Sequence, residues 1–178
     1  MVGDEETVSM RGKVLIAAMI AAASLAFSGA QHVARAADDS GVDFDISINH
    51  VGISVPDFDA SVKWYEEMFG FKLLRKMHQA ENPDMDFGVI QRGNVRIELF
   101  QVVKGKPLPD YRSDPTADLY VHGVKHFAFQ VKNIKKVLAE LEAKGVKVSK
   151  PLTENPRTSF VFINDNAGNA IELIEPKQ

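Results

Sequence analysis

Four residues whose side chains bind divalent metals occur in this chain as two His-to-Glu pairs. His50 precedes Glu98 by 48 residues, and His126 precedes Glu172 by 46. Imidazole nitrogens and carboxylate oxygens suit Zn, Ni, Co, Mn or Fe(II). The 178 residues include no cysteine, which excludes thiolate-bound metals, disulfides and cysteine nucleophiles. We therefore expect the four side chains to bind one divalent metal ion.

The sequence around each pair is repeated. The segment His50–Val55 matches His126–Val131, and a Gly-Asn turn precedes the strand of each glutamate. A repeat that preserves one His and one Glu is more specific than either residue alone. Two copies are too few for a solenoid, and they favour a two-fold pseudo-symmetric α+β domain.

Side chains alternate between the two faces of a strand, which predicts where each ligand points. His50 and Gly52 share one face of the first strand, and His126 and Ala128 share one face of its repeat. The small residue beside each His leaves room for a cavity. Glu98 and Glu172 both lie between apolar neighbours, where a carboxylate is costly unless it is paired or bound to metal. The pattern therefore indicates a metal site on the face opposite the core.

Hydrophobic periodicity and turn residues predict the elements that position these ligands. The predicted domain spans residues 46–176 and consists of two βαβββ modules, 46–103 and 121–176. Each predicted helix ends at a glycine, Gly70 or Gly145. In the second module the strand after the helix is predicted to be short, 146–148. The proline-rich connection 104–120 is predicted to be either a linker or a functional flap.

The N-terminal residues have a different composition. A short basic patch at 10–13 precedes an uncharged apolar run at 14–30, and Ala34-Arg35-Ala36 supplies a cleavage signal. Residues 10–36 are therefore predicted to be a signal peptide, so that the mature protein is periplasmic or secreted and free of the membrane. An uncleaved membrane anchor is the alternative. The net charge of -3, without a basic stripe, gives no sign of nucleic-acid binding.

The sequence resembles the vicinal oxygen chelate superfamily, whose members share the glyoxalase I, bleomycin resistance and dioxygenase fold, and within it the glyoxalase I branch. The resemblance covers nearly all of residues 46–176. It implies paired βαβββ modules that enclose a metal in a cup-shaped mixed sheet, with His50, Glu98, His126 and Glu172 as ligands. The segments that carry it are Asn49–Gly52, Trp64–Leu74, Ile97–Leu99, Lys125–Phe129 and Gly168–Pro176.

The resemblance implies proton transfer at a carbon next to a carbonyl, by a lyase or isomerase that forms a metal-bound enediolate. Glu172 would be the general base and then the acid, with Glu98 as its partner. In the dioxygenase branch the ligands would be His50, His126 and Glu172 around Fe(II), with Glu98 outside the coordination sphere. A non-catalytic drug- or metabolite-binding protein is the third alternative.

The sequence does not identify the substrate. Arg75 and Arg157 are predicted to bind an anionic part of a small-molecule substrate. An asparagine that the glyoxalase I branch carries just past the Glu98 strand is absent, with Val102 near its place. An exported protein also meets little glutathione. The sequence leaves open whether the modules pair within one chain or between two chains of a homodimer.

Overall fold

The computed structural model describes residues 47–78 and 80–177, which form two βαβββ modules. The predicted signal peptide, residues 10–36, lies outside the described residues. None of the helices in the described ranges has the length and apolar content that a membrane span requires. The first module contains β1 (Val51–Val55), α1 (Phe58–Phe69), β2 (Lys72–His78), β3 (Met85–Arg92) and β4 (Val95–Val102). The connection carries α2 (Pro115–Asp118), and the second module contains β5 (Phe127–Gln130), α3 (Ile134–Ala143), β6 (Val148–Glu154), β7 (Thr158–Asn164) and β8 (Ala170–Pro176).

Each module forms one four-stranded sheet, and the two sheets have the same topology. The strand orders are β1-β4-β3-β2 and β5-β8-β7-β6. The first strand of each module pairs in parallel with the last strand, and the remaining pairs are antiparallel. The fold class predicted from the repeat, an α+β structure of two βαβββ modules, is confirmed.

Capping residues set the helix ends. Asp57 caps α1 by accepting a hydrogen bond from the backbone N–H of Ala60 at 2.9 Å. The helix ends at Gly70, whose φ of 67° is a left-handed conformation that glycine adopts without strain. At the start of α3, Asn133 caps the helix, and the Glu175 carboxylate accepts from the N–H of Ile134 at 3.1 Å.

The strand after α3 is longer than predicted. β6 has seven residues, Val148–Glu154, where the sequence indicated a short strand at 146–148. Pro151 lies inside it, and a proline argues against a central strand because it cannot donate to the ladder. β6 is an edge strand of its sheet, so one side of its backbone needs no partner. The sheet position, which sequence reasoning did not supply, explains the difference.

The apolar faces of both sheets share one core with the helices. Ile97 and Leu99 of β4 and Ile171 and Leu173 of β8 are fully buried in the same cluster. Because Glu98 and Glu172 alternate with these residues, they lie on the opposite faces. We call the sheet face that carries Glu98 or Glu172 the glutamate face. Both glutamate faces therefore turn away from the shared core.

The connection between the modules is an ordered segment. The buried Asp118 side chain accepts from Lys125 Nζ at 3.2 Å. Arg112 donates to the backbone carbonyls of Val124 and Lys125 at 3.3 Å each. These contacts attach the part of the connection that carries Arg112 and Asp118 to the residues just before β5.

Candidate metal centre

In the first module, His50 and Glu98 lie together on the glutamate face. His50 directly precedes β1, and the register of β1 and β4 pairs Gly52 with Glu98. The distance from His50 Nε2 to Glu98 Oε2 is 3.2 Å. The two predicted ligands of this module thus present one nitrogen and one oxygen donor to the same space.

The second module repeats this arrangement. His126 directly precedes β5, and Ala128 pairs with Glu172. His126 Nε2 and Glu172 Oε2 are also 3.2 Å apart. The side chains are 33% and 17% exposed, close to the 40% and 19% of the first pair. The similar exposure shows that the repeat preserves a local environment as well as residue types.

A hydrogen bond orients the first imidazole. His50 Nδ1 lies 2.8 Å from Asn49 Oδ1, an oxygen that accepts a hydrogen bond from a protonated Nδ1. The other ring nitrogen, Nε2, faces Glu98 Oε2, and metal-binding histidines commonly have their second nitrogen hydrogen-bonded in this way. At the corresponding position before His126 stands Lys125, which contacts Asp118 instead. Asn49 was not singled out from the sequence, although its place beside His50 was a signal.

Aromatic side chains form the floor around each pair. A Cβ on Gly52 would meet Phe100 Cε2 at 3.2 Å, so the ring lies closely over the glycine. Phe100 stacks on Phe87 with ring centroids 6.1 Å apart. In the second module Phe162 meets the edge of the His126 ring at 5.0 Å. Both pairs therefore border an apolar surface that can contact the body of a small organic molecule.

The structure brings the four ligands together as two pairs. The pairs belong to different sheets, and within 47–78 and 80–177 no three His, Asp or Glu side chains are grouped closely enough to hold a metal. One chain therefore presents two half-sites, His50–Glu98 and His126–Glu172. The single four-ligand site stays a prediction.

Two basic residues occupy equivalent places on the glutamate faces. Arg75 of β2 pairs with Val89, which in turn pairs with Glu98. Lys150 of β6 pairs with Phe162, which pairs with Glu172. Lys150 was missed from the sequence, although it follows His126 by nearly the interval at which Arg75 follows His50.

Arg157, the other predicted substrate-binding residue, lies just before β7 and is exposed. It is five residues along the chain from Phe162, about 17 Å at the rise of an extended strand. Within 47–78 and 80–177 no hydrogen bond or ion pair joins Arg157 to the His126–Glu172 pair, and its substrate-binding role stays a prediction. Lys150 lies two strands from Glu172 on the same face.

Known proteins resemble this chain in sequence and in structure. A lactoylglutathione lyase of Schizosaccharomyces pombe is 30% identical over 146 residues, which cover 74% of this chain and 48% of that enzyme, so the chain spans about half of its length. The uncharacterized protein YaeR of Escherichia coli is 30% identical over 131 residues, 72% of this chain and 95% of that protein. A glyoxalase family protein from Enterococcus faecalis has a similar crystal structure, with a TM-score of 0.60, 27% identity and coverage of 72% of this chain and 97% of that one. A sequence profile matches residues 47–173, and the chain therefore belongs to the Glyoxalase/Bleomycin resistance protein/Dioxygenase superfamily.

Proposed function

We propose that this protein is a metal-dependent lyase or isomerase that transfers a proton at a carbon next to a carbonyl. The observation that carries the proposal is the equivalence of the two half-sites, in which a His Nε2 and a Glu Oε2 lie 3.2 Å apart. The similarity to lactoylglutathione lyase supports the same class of chemistry.

The residues present fit a divalent metal ion. Two imidazole nitrogens and two carboxylate oxygens make a donor set suited to Zn, Ni, Co, Mn or Fe(II). The hydrogen bond between His50 Nδ1 and Asn49 Oδ1 leaves Nε2 as the nitrogen that would bind the metal. A bound ion would supply Lewis-acid polarisation of a substrate carbonyl. We assign its ligands as His50, Glu98, His126 and Glu172.

The glutamates would move the proton. Each carboxylate is less than one-fifth exposed and lies beside an apolar floor, where a general base is shielded from water. Glu172 takes the proton from the carbon and returns it to the neighbouring carbon, with Glu98 as its partner. Phe162 pairs with Glu172 across β7 and β8 and so lies on the same sheet face as that carboxylate.

The matching geometry of the two pairs favours this reading over the ring-cleaving dioxygenase. A dioxygenase site would use His50, His126 and Glu172 and leave Glu98 outside. Glu98 instead contacts His50 at the same distance at which Glu172 contacts His126. The geometry of the first pair therefore suits metal binding by Glu98 as well as the geometry of the second pair suits metal binding by Glu172.

We propose further that a second copy of the chain completes the site. Both half-sites border an edge strand, β1 or β5, whose outer side has no partner among the described residues. Ile48 and Val124, each two residues before a ligand histidine, are 86% and 79% exposed. Such apolar exposure beside an open edge is typical of a surface that a partner covers. A two-fold dimer would bring His50–Glu98 of one copy to His126–Glu172 of the other.

Mixing two inactive variants tests the proposal. The first is His50→Ala/Glu98→Gln and the second is His126→Ala/Glu172→Gln, each with a different affinity tag. Neither variant alone should bind metal tightly. Co-expression and selection of mixed dimers should restore one intact site per dimer, about half of the wild-type nickel or zinc content. Co-expressed chains that bind no metal, alongside a wild type that does, would show that the ligands do not meet between copies.

Activity is then measured on the metal-loaded wild type. Hemithioacetals come first because of the similarity to lactoylglutathione lyase, followed by acyl-CoA epimers. Oxygen uptake with catechols tests the dioxygenase alternative. We expect proton exchange at the substrate carbon in the wild type, and Glu172→Gln should abolish it. The metal content of Glu172→Gln, measured alongside, separates loss of the general base from loss of a ligand. A wild type that binds none of the five metals would overturn the catalytic proposal.

A further inference from the structure

The turn between β7 and β8 is closed by hydrogen bonds just before the strand of Glu172 begins. The backbone N–H of Asp165 donates to the carbonyl oxygen of Asn169 at 3.0 Å, and the backbone N–H of Asn169 donates to Asp165 Oδ1 at 2.8 Å. The Asn169 side chain adds a third bond, from Nδ2 to Asp165 Oδ2 at 2.9 Å. Since β8 begins at the next residue, these three bonds fix the position of its first residues relative to the turn.

The Asn169 side chain also reaches the first module. Its Nδ2 donates to the carbonyl oxygen of Ser54 at 3.4 Å. Ser54 lies in β1, four residues after His50, and its hydroxyl donates to the carbonyl oxygen of Phe100 in β4 at 3.4 Å. Phe100 follows Glu98 by two residues. The amide group of Asn169 therefore connects β8 to both strands of the His50–Glu98 half-site.

The corresponding turn of the first module has different contacts. Gly93 and Asn94 match Gly168 and Asn169 in the sequence repeat. Asn94 is exposed, however, and the side-chain bond of its turn, from Gln91 Nε2 to the Gly93 carbonyl oxygen at 2.7 Å, stays within the module. Among the described residues, the asparagine of the second turn bonds to the other module and that of the first turn does not. The repeat of sequence therefore does not extend to this contact.

Hydrogen bonds and apolar contacts between the modules have different effects on their alignment. Ring contacts such as that of Phe69 with Phe129 hold the modules together, but hydrophobic attraction has no direction and tolerates small rotations. A hydrogen bond weakens when its length or angle changes. The bond from Asn169 to Ser54 therefore opposes a rotation that would move the start of β8 away from β1.

We propose that Asn169 is a positioning residue that sets the strand of Glu172 relative to the His50–Glu98 pair and thereby determines the coordination geometry at the metal. The inference rests on the proposed function, since it takes the two His–Glu pairs as metal ligands. Asn169 is not one of these ligands and acts through Ser54 and β1. In the site that two copies form, each metal takes one pair from each copy, so a shift between the two pairs of one chain alters both sites. A displacement of about 1 Å is enough to loosen such a site.

Replacing the side chain tests the proposal. Asn169→Ala removes both side-chain bonds and keeps the two backbone bonds with Asp165. Zinc affinity of the full-length protein is measured by competition with a chromophoric chelator, and the visible absorption of bound cobalt(II) reports the coordination geometry. We expect zinc to bind about threefold to tenfold more weakly, which is less than the loss of a direct partner of a ligand causes, and the cobalt spectrum to change. Asn169→Ser keeps one donor on a shorter side chain, should give an intermediate result, and carries the test if Asn169→Ala does not fold.

Two control variants separate positioning from a loss of stability. Asn166→Ala breaks another bond between this turn and the first module, from Asn166 Nδ2 to Ser61 Oγ at 3.2 Å, which ends on helix α1 instead of β1. Asn94→Ala changes the corresponding asparagine of the first module. Both variants should keep the zinc affinity and the cobalt spectrum of the wild type, even where Asn166→Ala lowers the melting temperature as much as Asn169→Ala does.

Amide hydrogen exchange tests the connection without a metal. In the metal-free protein, Asn169→Ala should accelerate the exchange of the β1 amides, Val51–Val55, as well as that of the first amides of β8, because local opening of both strands becomes easier. Asn166→Ala should leave the exchange of β1 unchanged. This measurement reads the effect of the bond on the two strands directly.

The outcomes distinguish this inference from the proposed function. A folded Asn169→Ala with the zinc affinity and cobalt spectrum of the wild type would overturn the inference and leave the metal site standing. Equal changes in Asn169→Ala and Asn166→Ala would do the same, because they would show that only the stability of the turn matters. A wild type that binds no metal would instead overturn the proposed function, and the role of Asn169 at the metal with it.

Discussion

The Tyr65 hydroxyl donates a 2.9 Å hydrogen bond to Asp165 Oδ2, and this bond joins helix α1 of the first module to the β7–β8 turn of the second. Tyr65 is fully buried and Asp165 is 6% exposed. Asp165 also accepts from the backbone N–H groups of Ala167 and Asn169 at 2.9 and 2.8 Å. The carboxylate thus orders the turn that leads into the strand of Glu172 and ties that turn to the other module.

Removing the Tyr65 hydroxyl should destabilise the fold. In Tyr65→Phe the buried Asp165 carboxylate loses one of its donors, and we expect a loss of about 1.5–3 kcal/mol in the free energy of unfolding. Urea denaturation at pH 7 measures it. Tyr120→Phe is the control because Tyr120 is 88% exposed. An equal effect of both substitutions would contradict the role of the bond.

The same bond predicts a change of stability at alkaline pH. Burial raises the pKa of Tyr65 well above its ordinary value, and the nearby Asp165 carboxylate raises it further. The folded chain therefore keeps a proton that the unfolded chain releases above about pH 10. The contribution of Tyr65 is complete below that pH and is lost as the pH rises toward the higher pKa of the folded state.

The stability gap between wild type and Tyr65→Phe should accordingly narrow between about pH 9 and 11. Comparing the two proteins cancels the titration of lysines and of the other tyrosines. The measurement is the free energy of unfolding in urea at several pH values. A gap that stays constant across this interval would show that Tyr65 ionises equally in both states.

Much of this fold could be predicted because its strand alternation and helix ends depend on residues that lie close together in the sequence. The alternation around Glu98 and Glu172 and the helix end at Gly70 each depend on neighbouring residues, and the structure contains both features. The register shifts between Leu73 and Arg75 in β2 and between Val148 and Lys150 in β6 leave no comparable mark in the sequence, since they depend on the pairing of a strand with its neighbour. Sequence reasoning therefore missed the place of Lys150 on the glutamate face, and the substrate-binding role of Arg75 stays a prediction.

The sequence also did not predict where the two His–Glu pairs lie relative to each other. It depends on contacts between distant segments, such as Phe69 of α1 against Phe129 of β5 with ring centroids 5.3 Å apart. These contacts put both apolar sheet faces into one core and turn both glutamate faces outward. The repeat predicted which residues pair within a module, and the shared core keeps the two His–Glu pairs of one chain on separate outward faces.

Gly88 is so closely packed that a methyl group added there should lower the stability of the fold substantially. A Cβ at this position would lie 2.4 Å from the Arg75 carbonyl oxygen and 2.6 Å from Phe58 Cζ. Gly88→Ala must therefore displace backbone or a fully buried ring, at a cost of about 1–3 kcal/mol or more. Gly52→Ala is the matched control, since its Cβ would meet only Phe100, at 3.2 Å. Thermal denaturation of the two variants should rank Gly88→Ala as clearly less stable, and the reverse order would contradict this packing.

Asn49 should control metal affinity through His50. The hydrogen bond between its Oδ1 and His50 Nδ1, 2.8 Å long, directs Nε2 toward Glu98. Loss of such a partner typically weakens metal binding about 10- to 100-fold, and we expect this of Asn49→Ala. Asn49→Asp keeps an acceptor at the same place and should stay within a few-fold of wild type. Competition with a chromophoric zinc chelator measures both affinities.

The controls for Asn49 separate an effect on the ligand from a general loss of structure. Asn94→Ala changes an exposed turn residue of the same module and should leave zinc affinity unchanged. Lys125→Ala alters the residue that occupies the corresponding place before His126. Because Lys125 Nζ binds Asp118, that change should lower thermal stability more than zinc affinity. If Asn49→Ala and Asn49→Asp bound zinc equally well, the hydrogen bond to Nδ1 would have no part in holding the metal.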